Sequence, residues 1–455
     1  MKEILDYAKQ SQKRYLDELV DFLAIPSIST DSSHNNDVIN CADFLKKHLI
    51  EVGFQQVDVI STKRHPIVYA EYIQDKHLPT VLIYGHYDVQ PAEPYELWES
   101  DPFKAVIKND YIYARGVADD KGQIFCHIKA VEAYIKNNVA LPVNVKFVIE
   151  GEEEIGSLNL PEFIRENKER LKADIALISD SPMYAKGQPS LCFSLRGLLY
   201  VELFVKGPNK DLHSGQFGGL VQNPIHALAV LLASFKDEHD NVVIEGFYDD
   251  VPQISERIKQ SLSGVPNSDE TLKKDLDVTT LVGDTTFSSN ERKWLRPTLD
   301  CNGIYGGYTK EGAKTIIPSE ASAKISMRLV GKQDPEDILA KVKAHISKHT
   351  LKGVTTRLEL HSYAKPASMS IDSKAMHAAQ KAFERSYQNT PYYVGEGGTI
   401  PVVADFKELL SIDTVMMGFN LPDDGIHSPN ERFGLENFYK GIETSLYFLD
   451  ELRNA

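Results

Sequence analysis

Apolar residues recur at helical spacing from Glu3 to Phe22 and again from Val38 to Val52, and short apolar runs at Ile67 to Tyr72 and Val81 to Gly85 read as strands. The exchange continues with strands at Val143 to Glu150 and Asp174 to Ser179, separated by a helical stretch from Gly122 to Lys136. Short buried strands alternating with helices predict an α/β sheet domain. From about Leu195 the texture changes to a long alternating strand, LLYVELFVKGP, followed by a helix from Asn223 to Phe235 and a polar stretch from Ser255 to Glu291 that reads as irregular. Two further alternating strands, AKISMRLV and VTTRLELHSY, flank a helix from Asp334 to His349, the order of an α+β sandwich. After Tyr363 the first texture returns, with a helix at Ser373 to Tyr387, a strand at Val415 to Gly418 and a closing helix at Leu435 to Leu452. The expected organisation is one α/β domain in two parts, residues 1–194 and 364–455, with a second domain inserted at 195–363.

A chain of 455 residues is long enough for two cores, and its 42% hydrophobic and 25% charged residues are ordinary for a globular protein. No apolar run approaches the roughly 18 residues of a membrane span, and MKEILDYAKQSQKRY lacks the continuous apolar stretch of a secretory signal, so a cytoplasmic location is expected. Fifty basic against 65 acidic residues give a net charge of −15 with the acids dispersed, which argues against nucleic acid or an anionic membrane as a partner. Cys41, Cys126, Cys192 and Cys301 lie far apart without CxxC spacing and read as ordinary buried thiols.

Some of the acids have a more local setting. In TVLIYGHYDVQP a strand runs straight into His86, where open α/β sheets gather ligand groups, and Asp88 is placed to accept a proton from the second ring nitrogen. YIYARGVADDKG reads as the next such strand end, with Asp119 and Asp120 side by side, and VKFVIEGEEEIGS sets Glu152, Glu153 and Glu154 after a strongly apolar strand. ADIALISD ends in Asp180, and TVMMGF leads through a loop to His427 in DDGIHSPN. Taken singly, these are a structural histidine, a helix cap and a solvated acidic face. Together they deliver His, Asp, Glu, Asp and His to one sheet edge, which favours a dinuclear metal site, with zinc suiting the mixed nitrogen and oxygen donors best and cobalt or manganese as substitutes.

GHYDVQPAEPYELWESDPF, YARGVADDKG, GEEEIGS, DLHSGQFGG, AKTIIPSEASAKISMRLV, EGGTIP and GIHSPN, in that order, closely resemble the co-catalytic zinc exopeptidases that include the carnosine and cytosolic nonspecific dipeptidases. The resemblance runs from about Val20 to the C-terminus. It implies a mixed-sheet catalytic domain with the inserted α+β sandwich as lid and dimerisation domain, two divalent ions per subunit, and a homodimer. It makes Asp119 the bridging carboxylate, His86 and Asp180 the other ligands of one ion, and Glu154 and His427 those of the second, with Asp119 and Asp120 joined by a cis peptide bond. Glu153 becomes the general base toward a water activated by two metals, and Asp88 keeps its orienting role. His213, from the inserted domain, is the implied oxyanion donor and reaches a neighbouring subunit's site in dimeric relatives.

The resemblance also implies that the substrate's C-terminal carboxylate meets Arg328, Thr315, Gly398 and Thr399, an arginine fork suiting a planar carboxylate. Asn302 is either a further polar contact or a turn residue. The resemblance breaks at Gly395, where the family loop usually carries arginine, so no arginine role is carried over there. In the family that this chain resembles, dipeptidases tend to carry aspartate and carboxypeptidases and deacylases glutamate at the position of Asp180, so the resemblance implies dipeptides or very short peptides as substrates; the alternative is an N-acyl amino acid deacylase or carboxypeptidase with the same mechanism.

Overall fold

The computed structural model describes residues 1–453 except Asn267, Ser268 and Thr399. The chain divides into two compact units, one made of Met1–Phe193, Met369–Val394 and Pro401–Ala455 and the other of Ser194–Ser368 and Gly395–Ile400.

The first unit is built on a mixed sheet. Its strands follow the order Gln56–Ile60, Ile67–Tyr72, Asn144–Glu150, Thr80–His86, Ile175–Ile178, Asp413–Met416 and Ser190–Leu195. The four strands from Asn144–Glu150 to Asp413–Met416 are mutually parallel, so their carboxyl ends lie along one edge. Register holds those ends level: His86 pairs with Glu150, Tyr84 with Ile178, and Met416 with Ile178. Asn144–Glu150 is buried along its whole length, the reason apolar residues stand side by side in Phe147, Val148 and Ile149 rather than in alternation. The helix Lys121–Lys136 is buried on every side from Lys121 to Tyr134 and packs against the closing helix Leu435–Leu452, which also covers Lys374–Tyr387. Fully buried side chains such as Phe125, Phe147 and Leu446 each contribute about 1.5–3 kcal/mol of hydrophobic stabilisation.

Two readings of this unit need correction. The amphipathic stretch from Glu3 to Phe22 is two helices, Lys2–Gln10 and Gln12–Leu23, divided at Ser11 with φ −89° and ψ 0°. The strand before Asp119, Tyr111–Tyr113, is not part of the main sheet; it pairs with Val106–Lys108 and Arg432–Gly434 in a small sheet of its own. Asp119 is therefore presented by the start of the helix Lys121–Lys136, whose N-cap is Asp120, and not by a main-sheet strand.

The second unit carries a four-stranded antiparallel sheet in the order Thr298–Gly306, Glu320–Leu329, Gly197–Lys206 and Thr355–Ala364. Gly197–Lys206 alternates buried and half-buried positions, and Leu199, Val201, Leu203 and Val205 share a core with Ile325, Met327, Leu228, Leu231, Val342 and Ile346. The last four lie on the helices Pro224–Ala233 and Pro335–His349, so the alternation read from the sequence records one face under helices. The stretch from Ser255 to Glu291 is not simply irregular: it holds the helices Glu256–Ser263 and Asp269–Asp275 and the start of Ser289–Leu295, which opens with a Ser288 to Glu291 capping box. Cys301 is also corrected: Cys41, Cys126 and Cys192 are buried, whereas Cys301 is exposed because its strand is a sheet edge and is mostly exposed.

Candidate metal centre

His86 ends a central strand and is fully buried. Its Nδ1 faces the Asp88 backbone oxygen at 3.1 Å, and the Asp88 carboxylate stands at 3.4 Å. This holds the proton on Nδ1 and aims Nε2 at Asp119 Oδ1, 3.0 Å away. Asp88 thus orients the ring more through its main chain than through its side chain. The Asp88 carboxylate instead accepts the amides of Glu153 at 3.2 Å and Glu154 at 3.1 Å, tying the acidic turn to the histidine strand.

The other Asp119 oxygen meets His427 Nε2 at 3.0 Å, and that nitrogen also lies 3.3 Å from Glu154. Two groups result: His86, Asp119 and Asp180, and Asp119, Glu154 and His427, each offering ligand atoms within 4.8 Å of one another. One carboxylate, Asp119, serves both. Each group supplies one imidazole nitrogen and carboxylate oxygens, a donor set that fits zinc, cobalt or manganese. The peptide bond between Asp119 and Asp120 is cis.

The charges are crowded. Burial and the neighbouring Asp119 raise the Asp180 carboxyl to about 7. Burial also lifts Glu153 well above the ordinary range, with Asp180, Glu154 and Asp119 adding repulsion against the attraction of His86. Burial pushes Asp119 upward too, but the hydrogen bonds from His427 and His86 prevail and hold it below the usual carboxylate range. The same contacts with Asp119 and Glu154 lift His427 to about 10. Carboxylates repelling one another around two imidazoles are the arrangement a divalent cation would neutralise.

The three consecutive glutamates separate into different roles. Glu152 is pinned by Thr62 Oγ1, the His65 amide and Asn159 Nδ2, so it braces the turn and does not face the centre. Glu154 is among the clustered donors and accepts from Gln90 Nε2 at 2.8 Å. Glu153 lies between them in sequence and belongs to neither donor group. The sequence reading passed over Gln90 and Glu431; each is a polar residue within four positions of a residue that was singled out, the only signal they carried.

Other site candidates lie in the second unit. His213 is exposed, and its Nδ1 accepts the Gly215 amide at 3.0 Å, leaving Nε2 to carry the proton in the neutral ring. Leu212–His213 pairs with Ile316–Ile317, and the Ser214 amide donates to the Thr315 oxygen at 3.0 Å, so His213 and Thr315 are neighbours. Arg328 is half-buried, opposite Leu198 and Thr298. Asn302 is exposed in the register shift between Cys301 and Gly303, a bulge that re-aims its side chain. The amides of Gly397 and Gly398 donate to Glu396 Oε1 at 2.7 and 3.2 Å, so in this loop a carboxylate already meets the Gly398 amide. Thr399 lies outside the described residues. Gly395 has a local cause: a Cβ there would stand 2.4 Å from Cβ of the buried Trp294.

Two donor groups of imidazole and carboxylate that share Asp119 make the framework of a metal-dependent hydrolase. The chain belongs to peptidase family M20/M25/M40, whose sequence model matches residues 82–451. It is 33% identical over 470 residues to the Cys-Gly metallodipeptidase dug1 of Schizosaccharomyces pombe, covering 100% of this chain and 98% of that protein. The solved structure of the di-peptidase Dug1p from Saccharomyces cerevisiae is similar with a TM-score of 0.81 at 29% identity, covering 100% of this chain and 98% of that one. The M20 family metallo-carboxypeptidase Sso-CP2 from Sulfolobus solfataricus gives a TM-score of 0.85 at 35% identity, over 97% and 99% of the two chains.

Proposed function

We propose that this protein is a metallopeptidase that hydrolyses dipeptides or very short peptides with two divalent ions, zinc first among the candidates. The observation that carries the reading is the pair of donor groups sharing Asp119. When bound, such ions lower the pKa of water and polarise a carbonyl. His86 and Asp180 would hold one ion, Glu154 and His427 the other, with Asp119 between them. Glu153, whose carboxyl is raised by burial, would take the proton from the attacking water and pass it to the leaving amine.

The second unit would supply recognition. His213 Nε2–H is the donor for the developing oxyanion. Arg328, with Thr315, Gly398 and Thr399, would receive the substrate carboxylate, and Asn302 would add a polar contact. A homodimer through this unit is supported by its exposed apolar side chains Leu220, Ile304 and Tyr305, which are 77%, 66% and 66% exposed. The four free thiols of the chain suit a reducing, cytoplasmic setting. Among the described residues no helix is long and apolar enough to cross a membrane.

The likeness to the metallo-carboxypeptidase Sso-CP2 supports a second reading, in which longer or acylated substrates are cleaved at the C-terminal residue. Incubating zinc-loaded protein with dipeptides, with longer peptides and with N-acetyl and N-succinyl amino acids separates the two. Turnover of free dipeptides is expected, and cleavage confined to the acylated or longer substrates would replace the first reading with the second. Sedimentation, together with mixing His213→Ala and Glu153→Ala proteins, tests the dimer; recovery of activity in hybrid dimers is the expected result.

A further inference from the structure

Both candidate ion positions depend on Asp119, so the fixing of its backbone relative to His427 decides whether either can form. We propose that Glu431 is a positioning residue for the metal centre: its carboxylate clamps the segment that carries Asp119 to the segment that carries His427. The proposal rests on the metal-dependent reading above.

Glu431 Oε2 accepts Arg115 Nη1 at 2.8 Å and the Gly116 amide at 2.9 Å. Oε1 accepts the amides of Ala118 at 2.8 Å and Asp119 at 3.2 Å. The Glu431 main-chain oxygen takes a further bond from the Ala114 amide at 3.2 Å. Glu431 and Arg115 are each 1% exposed, so these donors have no water to turn to if the carboxylate is removed.

The turn that aims three amides at one carboxylate requires Gly116 at φ +80°, where a Cβ would also stand 2.3 Å from Val89. On the other side, Asn430 anchors the His427 segment, donating from Nδ2 to the Leu97 oxygen at 2.9 Å and accepting the Glu99 amide at 2.8 Å. His427 Nε2 then reaches Asp119 Oδ2 at 3.0 Å. Asp119, its own amide, Glu431 and His427 close a ring, and the carboxylate is the one link in it that a single substitution can weaken without touching a ligand. Glutamine would fit the space but offers one acceptor oxygen, and its NH2 would point at two N–H donors.

The test compares wild type with Glu431→Gln and with Glu431→Asp, which keeps the charge but shortens its reach. Zinc affinity is measured by competition with a chromophoric chelator, the cobalt form is read by visible absorption, and folding of the metal-free proteins is checked by circular dichroism. Both variants are expected to bind zinc about 10- to 100-fold more weakly, with altered cobalt bands. Wild-type affinity and cobalt bands in Glu431→Gln would overturn the proposal, whatever happens to its melting temperature.

Hydrogen exchange on the metal-free wild type gives a second measurement that needs no variant to fold and no ion to bind. The amides of Gly116, Ala118 and Asp119 are expected to be protected. Exchange at the rate of an open turn would overturn the clamp. Absence of any zinc binding by wild type would instead defeat the metal-dependent reading and leave the exchange result to decide the role of Glu431.

Discussion

The side chains proposed for chemistry in the first unit and those proposed for recognition in the second are held in different ways. His86 is buried and Asp119 and Glu154 are largely so, while His427 is exposed; their side chains bond across the chain, His86 and His427 to Asp119 and Glu154 to Gln90 and His427. His213, Thr315 and Asn302 are exposed, and the contacts that fix them come from a two-residue ladder, a local turn and a bulge. Ligand atoms must stand within a few tenths of an ångström of their places before an ion arrives, and burial with cross-chain bonding supplies that. Groups that greet a variable substrate are served by exposed, locally built positions.

The sharpest way to break the comparison is through the shared carboxylate. Asp119→Ala is expected to lose both ions and reduce peptide hydrolysis to background, measured by metal analysis and turnover; retention of one tightly held ion would separate the two groups. Glu153→Gln should keep both ions yet lower kcat by about 10²- to 10⁴-fold, since only proton transfer is removed. In the second unit, Arg328→Met should leave metal content unchanged and lower kcat/KM by about 10- to 100-fold, mainly through KM, the scale of a lost charge-assisted hydrogen bond.

A smaller effect concerns pH and distinguishes the crowded first unit. Glu150 is raised to about 8 and Asp180 to about 7, in each case chiefly by burial. The folded metal-free protein therefore keeps protons that the unfolded chain releases near pH 4, so these groups stabilise it below that point and their contribution is lost as pH rises toward 7 to 8. Chelator-treated protein is expected to melt at a lower temperature at pH 8 than at pH 5, and Glu150→Gln should flatten the difference. Zinc, which needs deprotonated ligands, should stabilise more as pH rises. The smallest effect expected is from Gly395→Ala, about 1–3 kcal/mol of local stability from overpacking against Trp294, with metal affinity untouched.

Much of this was legible in the sequence because parallel strands buried on both faces leave runs of adjacent apolar residues, and the sheet edge lies just beyond each run. His86 and Asp180 follow that rule, and so does the turn from Glu152 to Glu154. Asp119 was singled out for the wrong geometric reason, since its preceding strand belongs to a small separate sheet. Glu152 could not be told from its neighbours because three identical side chains differ only in partners 87 to 90 positions away or in a short local contact. The helices Glu256–Ser263 and Asp269–Asp275 were missed because their buried faces are small: Leu262 is the buried residue of the first, and none is buried in the second.

The contact between Gly395 and Trp294 makes two distant positions a single unit of substitution. With Cβ of residue 395 at 2.4 Å from Cβ of Trp294, the obstacle is the beginning of the indole side chain and not its movable tip. A rotamer change at 294 cannot clear it. Any attempt to install the family's loop arginine at 395 must shift the backbone of one segment or replace residue 294 with glycine. Engineering that treats the loop as a transferable cassette would therefore import a clash along with the motif, and the order of changes matters: 294 first, then 395.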